Sequence, residues 1–337
     1  MRRRSPAALT VLLVALSVLA VAGPAAARSP QSEHDRIVAH WTPERMKAAV
    51  PRDFIREASG RFVPKAKPGG GGAAGAVLGA SWSKGGAILQ RSGKVYFQMG
   101  GSGWVCSGTV VTDSRSTKSL VLTAGHCAID ETNREFATAW LFMPDFDGGP
   151  TFTCSATVYG CWTAEALVVQ GGFANAGSFN DQAVKHDFAF AVVGDGGKGG
   201  SVSPRLETAV GGTFPLVYNL PNQTPAVVKG QTLYAFGYPA AGRYKGKDLT
   251  YCAGAITEDS LVANATWGMA CNMTGGSSGG PWLASFNEQI GSGSLGSLNS
   301  YGYSGQSVMY GPKFNSDTKA VYDAANSTQT VTNTIVP

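Results

Sequence analysis

A serine between paired glycines is the feature that most constrains this chain. Residues 274–281 read TGGSSGGP, and Ser278 is followed directly by two glycines. Glycine has no Cβ, so the backbone can turn sharply and point consecutive N–H groups into one small volume. A serine attacks a carbonyl group when a base takes its proton and fixed N–H donors stabilise the oxyanion. The pattern predicts either a nucleophile at Ser278, with the N–H groups of Gly276 and Ser278 as oxyanion hole, or a glycine-rich surface loop.

A second motif supplies a base for this serine. Residues 106–111 read CSGTVV and residues 122–127 read LTAGHC, so His126 lies beside a cysteine. Two of the other three histidines precede residue 75, and His186 is expected on the strand face opposite to its neighbour Asp187. His126 is therefore the histidine that we expect to take a proton at neutral pH and return it.

The two motifs resemble those of the trypsin-like serine proteases, which have the chymotrypsin fold, over about residues 80–325. In that family the base histidine lies in a Thr-Ala-Gly-His-Cys turn, which a disulfide ties to a Cys-Ser-Gly-Thr strand. The resemblance implies that Ser278 is the nucleophile and His126 the base. It also implies that Asp187, which precedes an apolar run, orients the histidine, and the chain order of the three matches this family. Asp181 is the rival aspartate, but no apolar strand follows it.

Short apolar runs separated by turn residues predict an all-β chain, either as barrels or as a sandwich. The resemblance implies two six-stranded antiparallel β-barrels, one over about residues 80–200 and one over about 201–325, with the active site in the cleft between them. Residues 317–326 are expected to form a short C-terminal helix. The apolar runs lie at 87–90, 94–99, 105–111, 119–123, 164–169, 188–193, 226–228 and 232–236.

The N-terminus reads as a secretory signal over residues 1–27. It has three arginines, then an apolar run at 7–22, then three alanines at 25–27 that suit cleavage. The apolar run is shorter than the roughly 18–20 residues that span a membrane. We therefore expect an exported protein with no membrane contact after the signal is removed.

Residues 28–75, called the leader below, precede the region that carries the motifs, residues 76–337, called the body. The leader contains one predicted helix at 41–50, several prolines and a glycine tether at 69–72. It is either a propeptide, and so a partner of the body, or a disordered segment without a role.

The positive charge of the chain belongs to its first 75 residues. They hold 12 Lys and Arg against 5 Asp and Glu, out of 27 and 22 in the whole chain, so the rest holds 15 against 17. The body has no basic stripe and no interleaved basic and aromatic motif, which excludes a nucleic-acid-binding function.

Six cysteines in an exported chain predict three disulfides, for which 15 pairings are possible. A zinc site would need closely spaced pairs such as C-x₂-C, and the sequence has none, so no metal is expected. The resemblance, with proximity along the chain, selects one pairing: Cys106–Cys127, Cys154–Cys161 and Cys252–Cys271.

The chain departs from the family just before the nucleophile. The trypsin-type members have an aspartate there, which pairs with the new N-terminus on activation, whereas this chain has Ser277. That activation switch is therefore not expected. Secreted bacterial members such as the glutamyl endopeptidases also lack the aspartate, and the chain resembles them most.

The resemblance also locates a substrate pocket. Asn272, six residues before the nucleophile, lies at its base, and its neutral side chain removes the usual anchor for Arg or Lys. No histidine follows His186, so the usual partner for a glutamate side chain is missing too. The opposite wall, whose backbone should pair with substrate as an added strand, consists of Ser297, Leu298 and Asn299.

These observations predict a secreted serine endopeptidase that acts through an acyl-enzyme on Ser278. We expect a monomer with protein or peptide substrates and no metal or organic cofactor. Two alternatives remain open: a protease-fold protein that binds without cutting, and an esterase that does not cleave amides.

Overall fold

Strands dominate the part of the chain that the computed structural model describes, which is residues 32–64, 76–148, 153–198, 205–220, 232–330 and 332–337. The predicted signal at 1–27, the glycine tether at 69–72 and the apolar run at 226–228 lie outside the described residues. Residues 33–337 belong to one compact unit, so the described parts of leader and body share one fold.

The described residues contain twenty strands and six α-helices. The strands are β1 (Val50–Pro51), β2 (Phe54–Arg56), β3 (Phe62–Pro64), β4 (Val77–Ser81), β5 (Ser92–Met99), β6 (Ser102–Val111), β7 (Ser119–Thr123), β8 (Ile129–Asp130), β9 (Glu135–Phe136), β10 (Thr138–Pro144), β11 (Cys161–Gln170), β12 (Ala189–Gly197), β13 (Thr232–Gly237), β14 (Thr250–Glu258), β15 (Thr266–Ala270), β16 (Pro281–Asn287), β17 (Ser292–Leu298), β18 (Tyr301–Tyr303), β19 (Val308–Pro312) and β20 (Thr334–Val336). The helices are α1 (Glu33–His40), α2 (Pro43–Ala48), α3 (Ala87–Arg91), α4 (Gly171–Ala174), α5 (Leu206–Ala209) and α6 (Ser316–Asn326).

Six antiparallel strands close into a first barrel. The ring runs β6, β5, β10, β11, β12, β7 and returns to β6. All five residues of β7 are buried, β6 and β12 pair with its two edges, and the helix α6 packs against β11 and β12. The mostly β fold and the first barrel that the resemblance implied are confirmed.

The second sheet differs from the closed barrel that the resemblance implied. Its order is β17, β16, β13, β14, β15, β19, β18, β2, β3, and β4 pairs with β14. Among the described residues, β17 at one end of this order does not pair with β3 at the other end. A side-chain hydrogen bond joins β17 to β19, in which Ser297 Oγ donates to Pro312 O at 2.8 Å. The edge of β18 pairs with the leader strand β2, so the sheet is extended there rather than closed.

The leader packs against the body over most of its described length. Thr42 caps α2 through its side chain, and Pro43 begins the helix, within the range predicted from the sequence. The sequence did not predict α1. Trp41, between the two helices, is buried and donates from Nε1 to Ala139 O at 2.6 Å, which fixes the helices on the first barrel.

The body also contains a C-terminal helix and three disulfides. The predicted C-terminal helix is present as α6, where Asn315 and Thr318 form a capping box and Val321 is buried. No helix in the described part of the chain is both long and apolar enough to cross a membrane. Three disulfides are present: Cys106–Cys127, Cys154–Cys161 and Cys252–Cys271.

Candidate active site

The pairing of β7 with β12 brings a histidine and an aspartate together. Ala189 at the start of β12 pairs with Thr123 at the end of β7, so the turn after β7 lies beside the residues that precede β12. That turn is a 3-10 turn, Gly125–Cys127. His126 Nδ1 lies 2.8 Å from Asp187 Oδ2, and the His126 backbone N–H donates to Asp187 Oδ1 at 2.8 Å. One carboxylate thus fixes both the ring and the backbone of the histidine.

Asp187 is ionised although it is fully buried. Burial alone raises the pKa of its carboxyl, but the charge of His126 and hydrogen bonds from His126 and Ser300 outweigh burial and lower the pKa below its ordinary value of 3.8. Ser300 Oγ donates to the same oxygen that His126 Nδ1 contacts. The carboxylate of Asp187 therefore presents a negative charge to His126 Nδ1 at neutral pH.

The Ser278 loop is held against the first barrel by strand β6. Ser107 N donates to Ser278 O at 2.7 Å, and Ser107 Oγ donates to Gly276 O at 2.9 Å. Gly276 and Gly279 have φ values of +93° and +82°, which favour glycine. Among the described residues, no acceptor is bonded to the backbone N–H of Gly276 or Ser278. These are the two N–H groups that the sequence proposes for the oxyanion hole.

Neutral hydrogen bonds hold Ser277, where trypsin-type relatives have an aspartate. Ser277 Oγ donates to Thr274 O at 2.9 Å, and its carbonyl accepts from Asn299 Nδ2 at 3.0 Å. Asn299 Nδ2 also donates to Phe236 O, and its Oδ1 accepts from Trp282 Nε1. The loop is thus fixed without an ion pair at this position.

The hydroxyl of Ser278 points at a leader residue. Ser278 Oγ donates to Asp53 Oδ1 at 2.8 Å and lies 3.4 Å from Ser300 O. His126 Nε2 is buried and has no hydrogen-bond partner within the described residues. The structure therefore brings the three predicted catalytic residues into one buried region, while the serine donates to Asp53 rather than to the histidine.

Comparison with solved structures supplies the family. The chain is similar to the thermostable serine protease AL20 from an extremophilic microorganism, at 34% identity and a TM-score of 0.59, over 72% of this chain and 100% of that one. It is also similar to the protease Anisep from Arthrobacter nicotinovorans, at 35% identity and a TM-score of 0.57, over 70% and 95%. The chain belongs to the chymotrypsin-fold serine proteases.

The other comparisons add the limits of this finding. No protein-family model matches the chain, and no curated protein matches it. A mutant of human heparin binding protein shares the fold at 10% identity and a TM-score of 0.50, over 75% of this chain and 97% of that one. At this identity the likeness shows the fold alone.

Two site residues of this protease were not found from the sequence. Ser300 links Ser278 to Asp187, since its hydroxyl donates to Asp187 and its carbonyl accepts from Ser278 Oγ. Its signal was weak: one more small polar residue directly after Asn299. Asp53 lies 225 positions before Ser278, and no local motif marks it.

The predicted pocket residues are largely buried. Asn272 Oδ1 accepts hydrogen bonds from Tyr244 Oη at 2.5 Å and from Arg243 Nη2 at 3.1 Å. The backbone of Asn299 pairs with Gly279 and Gly280. The edge that receives an added strand is β18, directly after Ser300. The three residues predicted as the opposite wall of the pocket are fully buried: Ser297, Leu298 and Asn299.

The remaining candidates have other contacts. Asp181 is paired with Arg56 of the leader at 3.1 Å, and His186 Nδ1 lies 3.7 Å from Asp317 of α6. Metal-ligand atoms lie close together at His126 and its two neighbouring cysteines, but a disulfide joins those sulfurs. Their thiolates are therefore not available to bind a metal.

Proposed function

We propose that the chain is a secreted serine endopeptidase that hydrolyses peptide bonds through an acyl-enzyme on Ser278. His126 is the general base and acid, and Asp187 orients it. The observation that carries the proposal is the buried contact of His126 Nδ1 with the ionised Asp187, at 2.8 Å. A binding protein has no need of this pair beside a glycine-flanked serine.

The charge of Asp187 selects the tautomer of the base. An ionised carboxylate only accepts hydrogen bonds, so the proton lies on His126 Nδ1 and the lone pair on Nε2. When a substrate carbonyl replaces the leader at the nucleophile, Nε2 takes the proton of Ser278 Oγ as the oxygen bonds to the carbonyl carbon. The resulting imidazolium is stabilised by Asp187.

The backbone stabilises the charge that forms on the substrate. The N–H groups of Gly276 and Ser278 bind the oxyanion of the tetrahedral intermediate. When the intermediate collapses, the C–N bond breaks and His126 returns its proton to the leaving amine. Water then gives a proton to His126 and its oxygen bonds to the acyl carbon. Ser278 leaves with that proton, which regenerates the enzyme.

The pocket favours substrates without a basic side chain. Asn272 offers no negative charge, and Arg243 lies 3.1 Å from its side-chain oxygen. A substrate Arg or Lys that reached Asn272 would meet a like charge, which is unfavourable. We expect cleavage after neutral or acidic residues to exceed cleavage after Arg and Lys.

Three disulfides support an extracellular location. Disulfides form and persist in oxidising compartments such as the extracellular space. Together with the predicted signal at residues 1–27, they support secretion. No residue of the body that we assign to catalysis depends on a metal or an organic cofactor.

Hydrolysis of a protein substrate tests the proposal. A recognition site for a sequence-specific protease, placed between residues 65 and 75, allows the leader to be cut from the folded full chain and removed. We expect casein cleavage that Ser278→Ala reduces by about a thousandfold or more, while the exposed control Ser116→Ala retains it. Equal activity of Ser278→Ala and Ser116→Ala would contradict the assignment. Turnover of an ester without turnover of the matching amide would favour an esterase.

A further inference from the structure

Leader residues 50–56 cross from one sheet of the body to the other. β1 pairs in parallel with β6 of the first barrel, at Trp104 and Val105. β2 pairs in parallel with β18 of the second sheet. Residues 52 and 53 lie between these strands, where Arg52 contacts the backbone carbonyl of His126 and Asp53 contacts the hydroxyl of Ser278.

Asp53 is buried against the hydroxyl of Ser278. Its Oδ1 accepts the hydrogen bond of Ser278 Oγ at 2.8 Å, and only 3% of the residue is exposed. A Cβ on Gly275 would lie 1.7 Å from Asp53 Oδ2, so glycine at that position provides the space. The carboxylate thus fits into the glycine-flanked loop that presents the nucleophile.

Arg52 fixes the neighbouring side of the site. Its Nη1 donates to His126 O at 2.5 Å, and its Nη2 pairs with Glu131 Oε2 at 2.8 Å. Both partners of this ion pair are buried, and charge-assisted hydrogen bonds of this kind are among the stronger ones. Consecutive charged residues of the leader therefore contact the base and the nucleophile.

Aromatic packing anchors the segment beyond the catalytic residues. Phe54 stacks on Phe179 with ring centroids 4.0 Å apart and meets the edge of the His126 ring at 5.6 Å. Phe62, on β3, packs against Phe179 and Tyr301. The hairpin of β2 and β3 thus covers the ring of the catalytic histidine and the edge of β18.

We propose that residues 50–64 inhibit the enzyme by occupying its cleft, with the Asp53 carboxylate blocking Ser278. This inference rests on the proposed endopeptidase function. A peptide carbonyl at Ser278 has an amine leaving group, whereas a carboxylate is a poor electrophile and has none. Ser278 therefore cannot cleave the leader at the group that it contacts. His126 Nε2 also has no hydrogen bond to Ser278 while Asp53 accepts the hydrogen bond of the serine hydroxyl.

The inhibition has a consequence for release of the enzyme. The leader and body are joined through residues 65–75, and cutting there converts an intramolecular inhibitor into a bound fragment. While it is attached, the leader is present at the cleft at an effective concentration in the millimolar range, and the cut removes this advantage. Activity should appear on dilution after the cut, because the fragment dissociates, and before the cut it should be independent of dilution.

Fluorophosphonate labelling of Ser278 in the folded full chain tests the proposal. The labelling rate follows the fraction of chains in which the cleft is open. Loss of a charge-assisted hydrogen bond weakens the contact by roughly tenfold to a hundredfold, so we expect Asp53→Asn to label faster by that factor. The matched control Asp35→Asn, on an exposed position of α1, should label like the wild-type chain. Phe54→Ala should accelerate labelling through loss of the stack on Phe179.

The outcomes separate this inference from the proposed function. If wild type, Asp53→Asn and Phe54→Ala label at the same measurable rate, the leader does not block the nucleophile and the inference fails. If no chain labels even after the leader is cut and removed, the proposed function fails. Hydrogen exchange then tests the docking without catalysis. In the Ser278→Ala chain the amides of residues 54–56 should exchange slowly, and rapid exchange there would overturn the inference.

Discussion

Two buried carboxylates lie next to the residues that we propose as catalytic, and they come from different regions of the chain. Asp187 belongs to the first barrel and contacts His126 through both oxygens. Asp53 belongs to the leader and contacts Ser278. The chemical group is the same, but in the proposed mechanism Asp187 orients His126, whereas Asp53 accepts the hydrogen bond of the Ser278 hydroxyl. The partner of a carboxylate therefore decides whether it supports or blocks catalysis.

The attachment of the two carboxylates also differs. Asp187 lies two residues before β12, a barrel strand paired on both edges, so it cannot leave the site without unfolding the barrel. Asp53 lies between two short strands: within the described part of the chain, β1 pairs with β6, and β2 pairs with β18 and with β3. We infer that one carboxylate is permanent and the other removable.

Exchange of each carboxylate for its amide gives the largest and most contrasting effects. We expect Asp187→Asn to lower kcat of the leader-free enzyme about ten-thousandfold, because an amide can stabilise the wrong tautomer of His126. Asp53→Asn should instead raise the reactivity of the full chain. Peptide hydrolysis and fluorophosphonate labelling measure the two. A loss of activity in Asp53→Asn, or no loss in Asp187→Asn, would contradict the opposite roles assigned to the two carboxylates.

Ser300 tests the role of the barrel carboxylate, because its hydroxyl donates a hydrogen bond to Asp187. Removing its hydroxyl in Ser300→Ala deletes a hydrogen bond to the charge of Asp187, worth roughly 1.5–3 kcal/mol. We expect kcat of the leader-free enzyme to fall roughly tenfold to a hundredfold with little change in KM. Steady-state kinetics and a thermal unfolding curve distinguish this positioning role from a general loss of fold, in which both would deteriorate.

Acid unfolding gives the smallest effect. The pKa of Asp187 is lower in the folded enzyme than its ordinary value of 3.8, because its bonds to His126 and Ser300 outweigh burial. The stabilisation by its charge is therefore present above about pH 4 and is lost as the pH falls through the folded pKa. We expect the unfolding free energy of the wild-type chain to fall more steeply below pH 4 than that of Asp187→Asn. Parallel acid limbs in urea titrations would contradict this.

The features of the body that depend on local sequence motifs could be predicted from the sequence. The motifs around His126 and Ser278 led to the family, the first barrel and the three disulfides, because turns and neighbouring cysteines are short-range features. The second sheet was harder, since its closure depends on edges that no motif describes. There the leader strand β2 pairs with β18 and extends the sheet.

The contacts between the leader and the body could not be predicted from sequence motifs. Asp53 stands in an ordinary polar stretch, and its meeting with Ser278 depends on strand pairing at both ends of residues 50–56. Ser277 raised a question that the sequence alone did not answer. Bonds from Asn299 and to Thr274 hold the loop in place of an ion pair.

Identification of the residue that reacts with a fluorophosphonate, in the folded chain from which the leader has been cut and removed, tests the central claim most directly. A serine reacts readily with this probe only when its base and oxyanion hole are both assembled. The account predicts an adduct on Ser278, found by peptide mass spectrometry, which disappears in His126→Ala. No adduct on the folded, leader-free chain, or an adduct that persists in His126→Ala, would contradict it.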